Sequence, residues 1–213
     1  MKKTLLTVFM LAAVIAANAQ GFRFSVKGAY NSTWLFNKNI SDAGDELDYK
    51  STFGAQFGVG ALYNFTENAG IGIDLLFGSV NQKYTNRDPL FPGSMETQAM
   101  LKTMDIPVFF RYTSDIGAYF EIGPQFSILN DGEFETPFGT QDISDDLESS
   151  YIAAMIGAGF DIGLTDNLYL TPGIRATYGF GDVMKEPALA VDYEPTNALV
   201  VGIIVAFSYK FGN

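Results

Sequence analysis

The ionisable side chains available for chemistry in this 213-residue sequence are those of Asp, Glu, Tyr, Lys and Arg, because the chain contains no His and no Cys. The commonest general base and the commonest metal ligand are therefore missing. Disulfides, thiol nucleophiles and thiolate metal sites are missing as well. A hydrolase built from carboxylates alone would need a suggestive spacing of acids, and we find none. We therefore predict that the protein is not an enzyme and binds neither a cofactor nor a metal ion.

Eight charged residues share a position on the polar side of stretches in which polar and apolar residues alternate. Opposite charges in a confined space are expected to pair, because an unpaired buried charge is costly. Two interpretations remain open: a structural plug that fixes strand register and closes an interior space, or the gate of a narrow selective pore. The predicted ion-pair network consists of Arg23, Lys27, Asp74, Asp105, Arg111, Glu121, Asp161 and Arg175.

The elements that must position these charges are eight stretches of alternating polarity. In residues 22–36 the even positions are mostly apolar and the odd positions mostly polar, a period of two that predicts a strand with two unlike faces. Each stretch has at least the roughly nine residues that a tilted strand needs to cross a bilayer. The pattern recurs in residues 52–65, 70–78, 104–112, 118–128, 151–163, 168–180 and 197–211.

The connections between these stretches alternate in length. Long connections at about 37–51, 83–102, 130–149 and 182–196 alternate with short ones at 66–69, 113–116 and 165–167. Long loops at one rim and tight turns at the other are typical of barrels in the outer membrane, with both termini on the periplasmic side. We predict an all-β fold, an eight-stranded antiparallel transmembrane up-and-down β-barrel.

The composition of the two faces indicates which one points outward. A soluble barrel of the lipocalin type would have an apolar interior and a charged exterior. Here the polar face is dominated by Gly, Ser, Thr, Asn, Gln and Tyr, whereas a surface facing water should carry roughly 25–35% charged residues. We therefore expect the polar face to fill the narrow interior of the barrel. The apolar face, with Phe57 and Ile73, is expected to contact lipid.

The first nineteen residues are predicted to be a secretory signal peptide. Lys2 and Lys3 precede an apolar run, and Ala17-Asn18-Ala19 forms a small-x-small cleavage site. The expected mature chain, residues 20–213, is a single barrel domain. Its formal charge changes from −11 to −13 when the two lysines are removed, so it is a poor nucleic-acid binder.

Most of the surplus acid lies in the long connections. One acidic stretch, 141–146, has oxygen ligands but lacks the glycine and the closing glutamate of an EF-hand loop, so it is typical of a solvated loop. Loops on a rigid scaffold often carry function. We expect these loops to meet an envelope protein partner. The acidic residues are Asp42, Asp45, Glu46, Asp48, Asp142, Asp145, Asp146, Glu148, Asp182, Glu186, Asp192 and Glu194.

Two motifs resemble those of a known family. Residues 104–112, with Ile106-Pro107 followed by Arg111 and Tyr112, precede Gly123-Pro124 and an aromatic-rich strand. This arrangement is similar to that of the outer-membrane β-barrel family of Bacteroidota, which includes the PorT-like proteins and barrels named as a porin family. The end of the chain, residues 207–211, resembles the strand signal read by the barrel-assembly machinery. The resemblance implies an eight-stranded barrel in the outer membrane, inserted by that machinery.

Function is therefore expected from the barrel and its loops. The enzymes with a similar barrel, omptin proteases and lipid A deacylases, depend on a catalytic His that this chain does not have. Open aqueous channels usually need about sixteen strands. Our leading interpretation is a structural or loop-mediated binding scaffold with a plugged polar lumen, surrounded by outer-membrane lipid. The alternative is a small passive pore for small solutes.

Overall fold

Antiparallel pairing between neighbouring strands closes one sheet into a ring in the computed structural model of the protein. The structure describes residues 21–38, 47–50, 52–86, 95–186 and 193–211. The predicted signal peptide, residues 1–19, lies outside the described residues. The strands are β1 (Phe22–Asn37), β2 (Leu47–Lys50), β3 (Thr52–Asn64), β4 (Ala69–Asn86), β5 (Met95–Thr113), β6 (Ala118–Thr136), β7 (Gly139–Asp142), β8 (Ser150–Phe160), β9 (Ile162–Gly163), β10 (Leu168–Gly179) and β11 (Thr196–Phe211).

Eight of these strands form the ring in the order β1-β3-β4-β5-β6-β8-β10-β11. The ring closes because β11 pairs with β1 along its whole length, from Phe22 opposite Phe211 to Asn37 opposite Thr196. The short strands β2, β7 and β9 extend the sheet by pairing with β4, β6 and β10. The predicted eight-stranded antiparallel barrel is confirmed. None of the helical segments among the described residues is long and apolar enough to cross a membrane.

The two faces of the strands point as the alternation predicts. Phe57 and Val26 are 68% and 66% exposed on the outer wall, while Lys27, next to Val26, is only 7% exposed. Ile73 also lies on the outer wall. A wall of exposed apolar side chains around a polar interior is the arrangement that a lipid environment requires.

The two ends of the barrel differ, and we name them the turn rim and the loop rim. The turn rim contains the three short connections, 65–68, 114–117 and 164–167, and the loop rim contains the long ones. Two of the short turns are fixed in the same way, by a hydrogen bond from an asparagine side chain to the backbone carbonyl at the end of a neighbouring strand. Asn68 donates to Thr113 and Asn167 donates to Lys210, both at 2.9 Å. These bonds tie the turns to the ring at the turn rim.

The strands at the loop rim are longer than the sequence predicts. Pairing between β4 and β5 continues to Asn86 opposite Met95, and β6 continues to Thr136, so much of 83–102 and 130–136 is strand and not loop. Beyond the membrane the outer face meets water and no longer needs apolar side chains. The period of two therefore fades there even though the backbone ladder continues.

Candidate functional site

All eight charges predicted to pair lie inside the barrel. They come from β1, β4, β5, β6 and β10, and from Asp161, which directly follows β8. Their side chains are at most about a tenth exposed, as for Arg23 at 10% and Arg175 at 9%. The inward face of the strands therefore places both signs of charge in one narrow space.

Four of the eight residues form the half of the network nearer the turn rim. Arg23 lies 2.5 Å from Asp161, and the other oxygen of that carboxylate lies 3.4 Å from Arg111. Arg111 in turn donates from both Nε and Nη2 to one oxygen of Glu121, at 2.9 and 2.5 Å. Each carboxylate in this half therefore contacts at least one guanidinium group.

Arg175 joins this half to a deeper one. Its two terminal nitrogens donate to different carboxylates, Glu121 at 2.8 Å and Asp74 at 2.9 Å. Asp74 also accepts a hydrogen bond from the ammonium group of Lys27, at 2.8 Å. We call the seven connected residues the lumen network; they are Arg23, Asp161, Arg111, Glu121, Arg175, Asp74 and Lys27.

Asp105 does not belong to the lumen network, contrary to the sequence prediction. Its carboxylate accepts from Gln56 at 2.6 Å and from Thr103 at 3.1 Å, and it forms no ion pair with any described residue. Asp105 lies six residues from Arg111 along β5, which is about 20 Å at the usual rise of a strand, and Gln56 and Thr103 are its polar partners instead. Alternation identified the face correctly but not the level on that face.

Aromatic rings cover the cations of the lumen network. The sequence places Tyr119, Tyr169 and Phe109 on the polar face, but their roles appear only in the structure. Stacking of a cation over a ring is worth about 0.5–2 kcal/mol, more when the pair is desolvated. The guanidinium carbon of Arg23 lies 4.2 Å from the Tyr169 ring centre and that of Arg111 lies 4.0 Å from Tyr119, while Lys27 and Arg175 lie 5.2 and 5.4 Å from Phe109.

Glycines on the inner face make room for these long side chains. Gly60 on β3 is the clearest case, because a Cβ built there would lie 2.2 Å from Asp74 Oδ1 and 2.8 Å from Lys27 Cε. Gly28 on β1 faces the opposite way, and a Cβ built there meets nothing within 4 Å. The inner glycines are therefore part of the packing around the ion pairs.

We expect Gly60→Ala to lower the free energy of unfolding by about 1–3 kcal/mol, because the added methyl group overpacks the Lys27–Asp74 pair. Gly28→Ala is the matched control. It should be neutral or slightly stabilising, since Gly within a strand costs roughly 0.5–1 kcal/mol relative to Ala. Urea unfolding from phosphatidylcholine vesicles measures both, and equal effects of the two substitutions would contradict the packing role of Gly60.

A second layer, nearer the loop rim, is apolar. We call it the apolar core, a group of buried side chains that point inward from the barrel wall or downward from the loops. The alternation of polar and apolar residues predicts a polar interior throughout, and that prediction is wrong in this layer. The sequence contains one indication of this layer, because Leu35 is an apolar residue at an inward position on β1. The members are Leu35, Val80, Tyr84, Ala99, Leu101, Leu147, Tyr151, Ala153, Val183, Ala198 and Val200.

Two loop segments, 143–148 and 183–185, lie over the apolar core, and we call them the cover. Leu147 and Val183 insert into the core at 4% and 0% exposure. Backbone hydrogen bonds join the two segments, from Glu148 to Val183 at 3.2 Å and from Lys185 to Asp146 at 2.8 Å. The cover is therefore held over the apolar core by backbone pairing as well as by apolar contacts.

Asp182 fixes the second segment of the cover. Its carboxylate accepts from the Tyr193 hydroxyl at 2.5 Å and from the backbone amides of Met184 and Thr196 at 3.0 and 2.9 Å. Desolvation and the hydrogen bond to this carboxylate raise the pKa of Tyr193, so its hydroxyl stays protonated and able to donate at neutral pH. Asp182 therefore ties residues 184, 193 and 196 together at the loop rim.

The two cavities beside the lumen network are small. Two cavities border the lumen network, one beside Arg175 and Gln125 and one beside Arg23 and Arg111, and each holds about 10 Å³, roughly one water molecule. A larger groove of about 690 Å³ lies on the apolar outer wall around Val26, where lipid is expected. Among the described residues, no three acidic side chains are close enough together to hold a metal ion.

Comparison with solved structures shows the same fold. OprG from Pseudomonas aeruginosa is 15% identical over 90% of this chain and 96% of its own, with a TM-score of 0.51. Neisserial surface protein A is 16% identical over 90% of this chain and 98% of its own, with a TM-score of 0.47. At 15% identity the likeness to OprG concerns the fold alone.

Comparison of sequences gives the family. No curated protein matches the sequence. A family model described as the outer membrane protein beta-barrel domain matches residues 18–185, well over half of the chain. Family and fold together support a location in the outer membrane. The chain belongs to the family of outer membrane proteins with this β-barrel domain.

Proposed function

We propose that the protein is a sealed outer-membrane barrel that acts as a binding scaffold through its loop rim, without catalysing a reaction. The observation that carries this proposal is the filling of the interior by two layers of different chemistry. A solute entering from the turn rim meets the lumen network. One entering from the loop rim meets the cover and the apolar core.

The two layers support a seal in different ways. The lumen network holds its long side chains in place through six ion-pair contacts and the aromatic rings above them. The apolar core disfavours ions because most of the side chains that form it are apolar. A gate would need at least one layer that opens at low cost, and neither the buried ion pairs nor the buried apolar side chains provide one.

The loop rim, in contrast, extends beyond the membrane, where a partner could reach it. Strands β4, β5 and β6 contain 18 or 19 residues, whereas about 9–11 suffice to cross a bilayer. The extra length raises a sheet above the membrane, extended at its sides by β2 and β7. In outer-membrane barrels the long loops face the outside of the cell, so a partner in the envelope or beyond it would meet this sheet.

We further propose three properties that the sequence predicts. They are export by the signal peptide in residues 1–19, insertion by the barrel-assembly machinery, and a relationship to the PorT-like proteins of Bacteroidota. The last rests on the motifs around Pro107 and Pro124. We also propose that the protein binds a partner in an envelope or secretion complex. Co-purification of the native protein from its own membrane tests this.

Single-channel recording in a planar bilayer tests the seal. We expect the refolded protein to insert without discrete conductance steps, because each layer closes the lumen independently. Insertion is verified separately by co-flotation of the protein with lipid vesicles. Stable, reproducible steps would contradict the seal and make the small passive pore the better description.

A further inference from the structure

The hairpin formed by β6 and β7 ends in a free strand edge at the loop rim. Strand β8 pairs with β6 only as far as Ser150 opposite Ile128, and β7 then takes its place beside residues 133–136. All four residues of β7 are exposed. No described residue pairs with the outer edge of β7. A free edge of this kind can be extended by another strand.

The hydrogen-bonding pattern identifies the backbone groups on that edge. The amide of Ile143 donates to the carbonyl of Gly132 at 2.8 Å, which makes these two residues a hydrogen-bonded pair. In an antiparallel ladder, hydrogen-bonded pairs alternate with pairs that are not hydrogen-bonded. Asp142 opposite Glu133 and Thr140 opposite Glu135 are therefore pairs without backbone hydrogen bonds. The backbone N–H and C=O groups of Thr140 and Asp142 point away from β6, toward the free edge.

The side chains beside this edge are acidic on one face. Glu133 lies opposite Asp142 and Glu135 opposite Thr140, so both glutamates share a face with Asp142. Hydrogen bonds from Ser144 lower the pKa of Asp142, which keeps its carboxylate ionised. The ammonium group of the nearby Lys102 lies 2.5 Å from Asp131 and 4.0 Å from Glu133, so it already forms ion pairs within the sheet.

The other face of the hairpin carries Phe134 on β6, opposite Gln141 on β7. Phe134 packs against the apolar core from this side. At the tip of the hairpin, Phe138 is 88% exposed, more than any other large apolar side chain among the described residues. Exposed aromatic side chains are frequent anchors of protein interfaces. The hairpin therefore offers acidic side chains on one face, an aromatic side chain on the other face and one at the tip, and free backbone groups along its edge.

We propose that the free edge of β7 binds an extended peptide segment of a partner protein, added antiparallel as a further strand, in which basic residues alternate with apolar ones. This inference rests on the proposed scaffold function and names its partner class. Residues directly opposite each other across a ladder point to the same face. The residues opposite Thr140 and Asp142 are therefore the basic ones, and their own backbone amides face β7.

A labelled peptide of alternating Lys and Val, six residues long, is the probe. Its binding to the full protein in nanodiscs of uncharged phosphatidylcholine is followed by fluorescence anisotropy. We expect methylation of the Lys backbone amides to weaken binding at least tenfold, because those amides face β7. Methylation of the Val backbone amides should leave the affinity unchanged. A peptide of alternating Glu and Val should bind at least tenfold more weakly than the Lys-Val peptide.

Substitutions at Thr140 test the same contact from the side of the protein. Thr140→Pro removes the free amide without removing a hydrogen bond to β6, and should weaken binding at least tenfold. Thr140→Val keeps the amide and should bind like the wild type. If both methylated peptides, or both Thr140 variants, bind alike, strand addition is wrong and only diffuse charge attraction remains. Conductance, measured on the same preparation, tests the seal independently of this result.

Discussion

Replacing Glu121 by Gln is expected to lower the free energy of unfolding by about 3–5 kcal/mol, the usual cost of removing one partner from a buried ion pair. The Glu121 side chain is 1% exposed and accepts hydrogen bonds from both Arg111 and Arg175. Without its charge, two buried guanidinium groups face each other across a neutral amide. Urea unfolding of the protein refolded into phosphatidylcholine vesicles measures the loss.

The control for this experiment uses the same substitution outside the barrel. Glu133→Gln removes a partly exposed carboxylate that lies 4.0 Å from Lys102, so it should cost at most about 1 kcal/mol. A second-site change provides a further check. Arg175→Met removes the excess cation, so the double variant should recover part of the stability lost in Glu121→Gln. If Glu121→Gln costs no more than Glu133→Gln, the lumen network does not hold the barrel together.

Replacing Phe57 by Arg is expected to cost about 2–4 kcal/mol, because the new charge would lie in the hydrocarbon near the middle of the bilayer. Phe57 is 68% exposed on the outer wall, opposite Gly28 on β1 and Phe77 on β4. The same exposure in a soluble barrel would make the substitution harmless or favourable. The experiment therefore tests directly which solvent surrounds the barrel.

Phe138→Arg is the matched control for the Phe57 variant. Phe138 is also exposed, at 88%, but it lies at the tip of the β6–β7 hairpin above the membrane. Its substitution should change the free energy of unfolding by less than about 0.5 kcal/mol, as for most surface positions. Equal stability of the two variants in vesicles would mean that the apolar wall does not contact lipid.

Alternation along the strands predicted more than the fold class. It placed Arg23, Glu121 and Arg175 on the interior face, because a period of two assigns every residue of a strand to one side of the sheet. It did not predict the length of β4 to β6, since the period is lost where the outer face leaves the lipid. It also grouped Asp105 with the other charges, because alternation contains no information about height along the barrel axis.

Local sequence patterns were enough to predict the eight strands of the ring, their antiparallel order and which face of each strand points outward. Those properties follow from local patterns: the period of two, the alternation of turn lengths and the scarcity of charge. The tertiary structure alone decided which charges touch, as when Arg175 on β10 joins Asp74 on β4 to Glu121 on β6. It also placed Leu147 and Val183 together over the apolar core. Such contacts depend on the register between strands distant in sequence, and that register is fixed only when the ring closes.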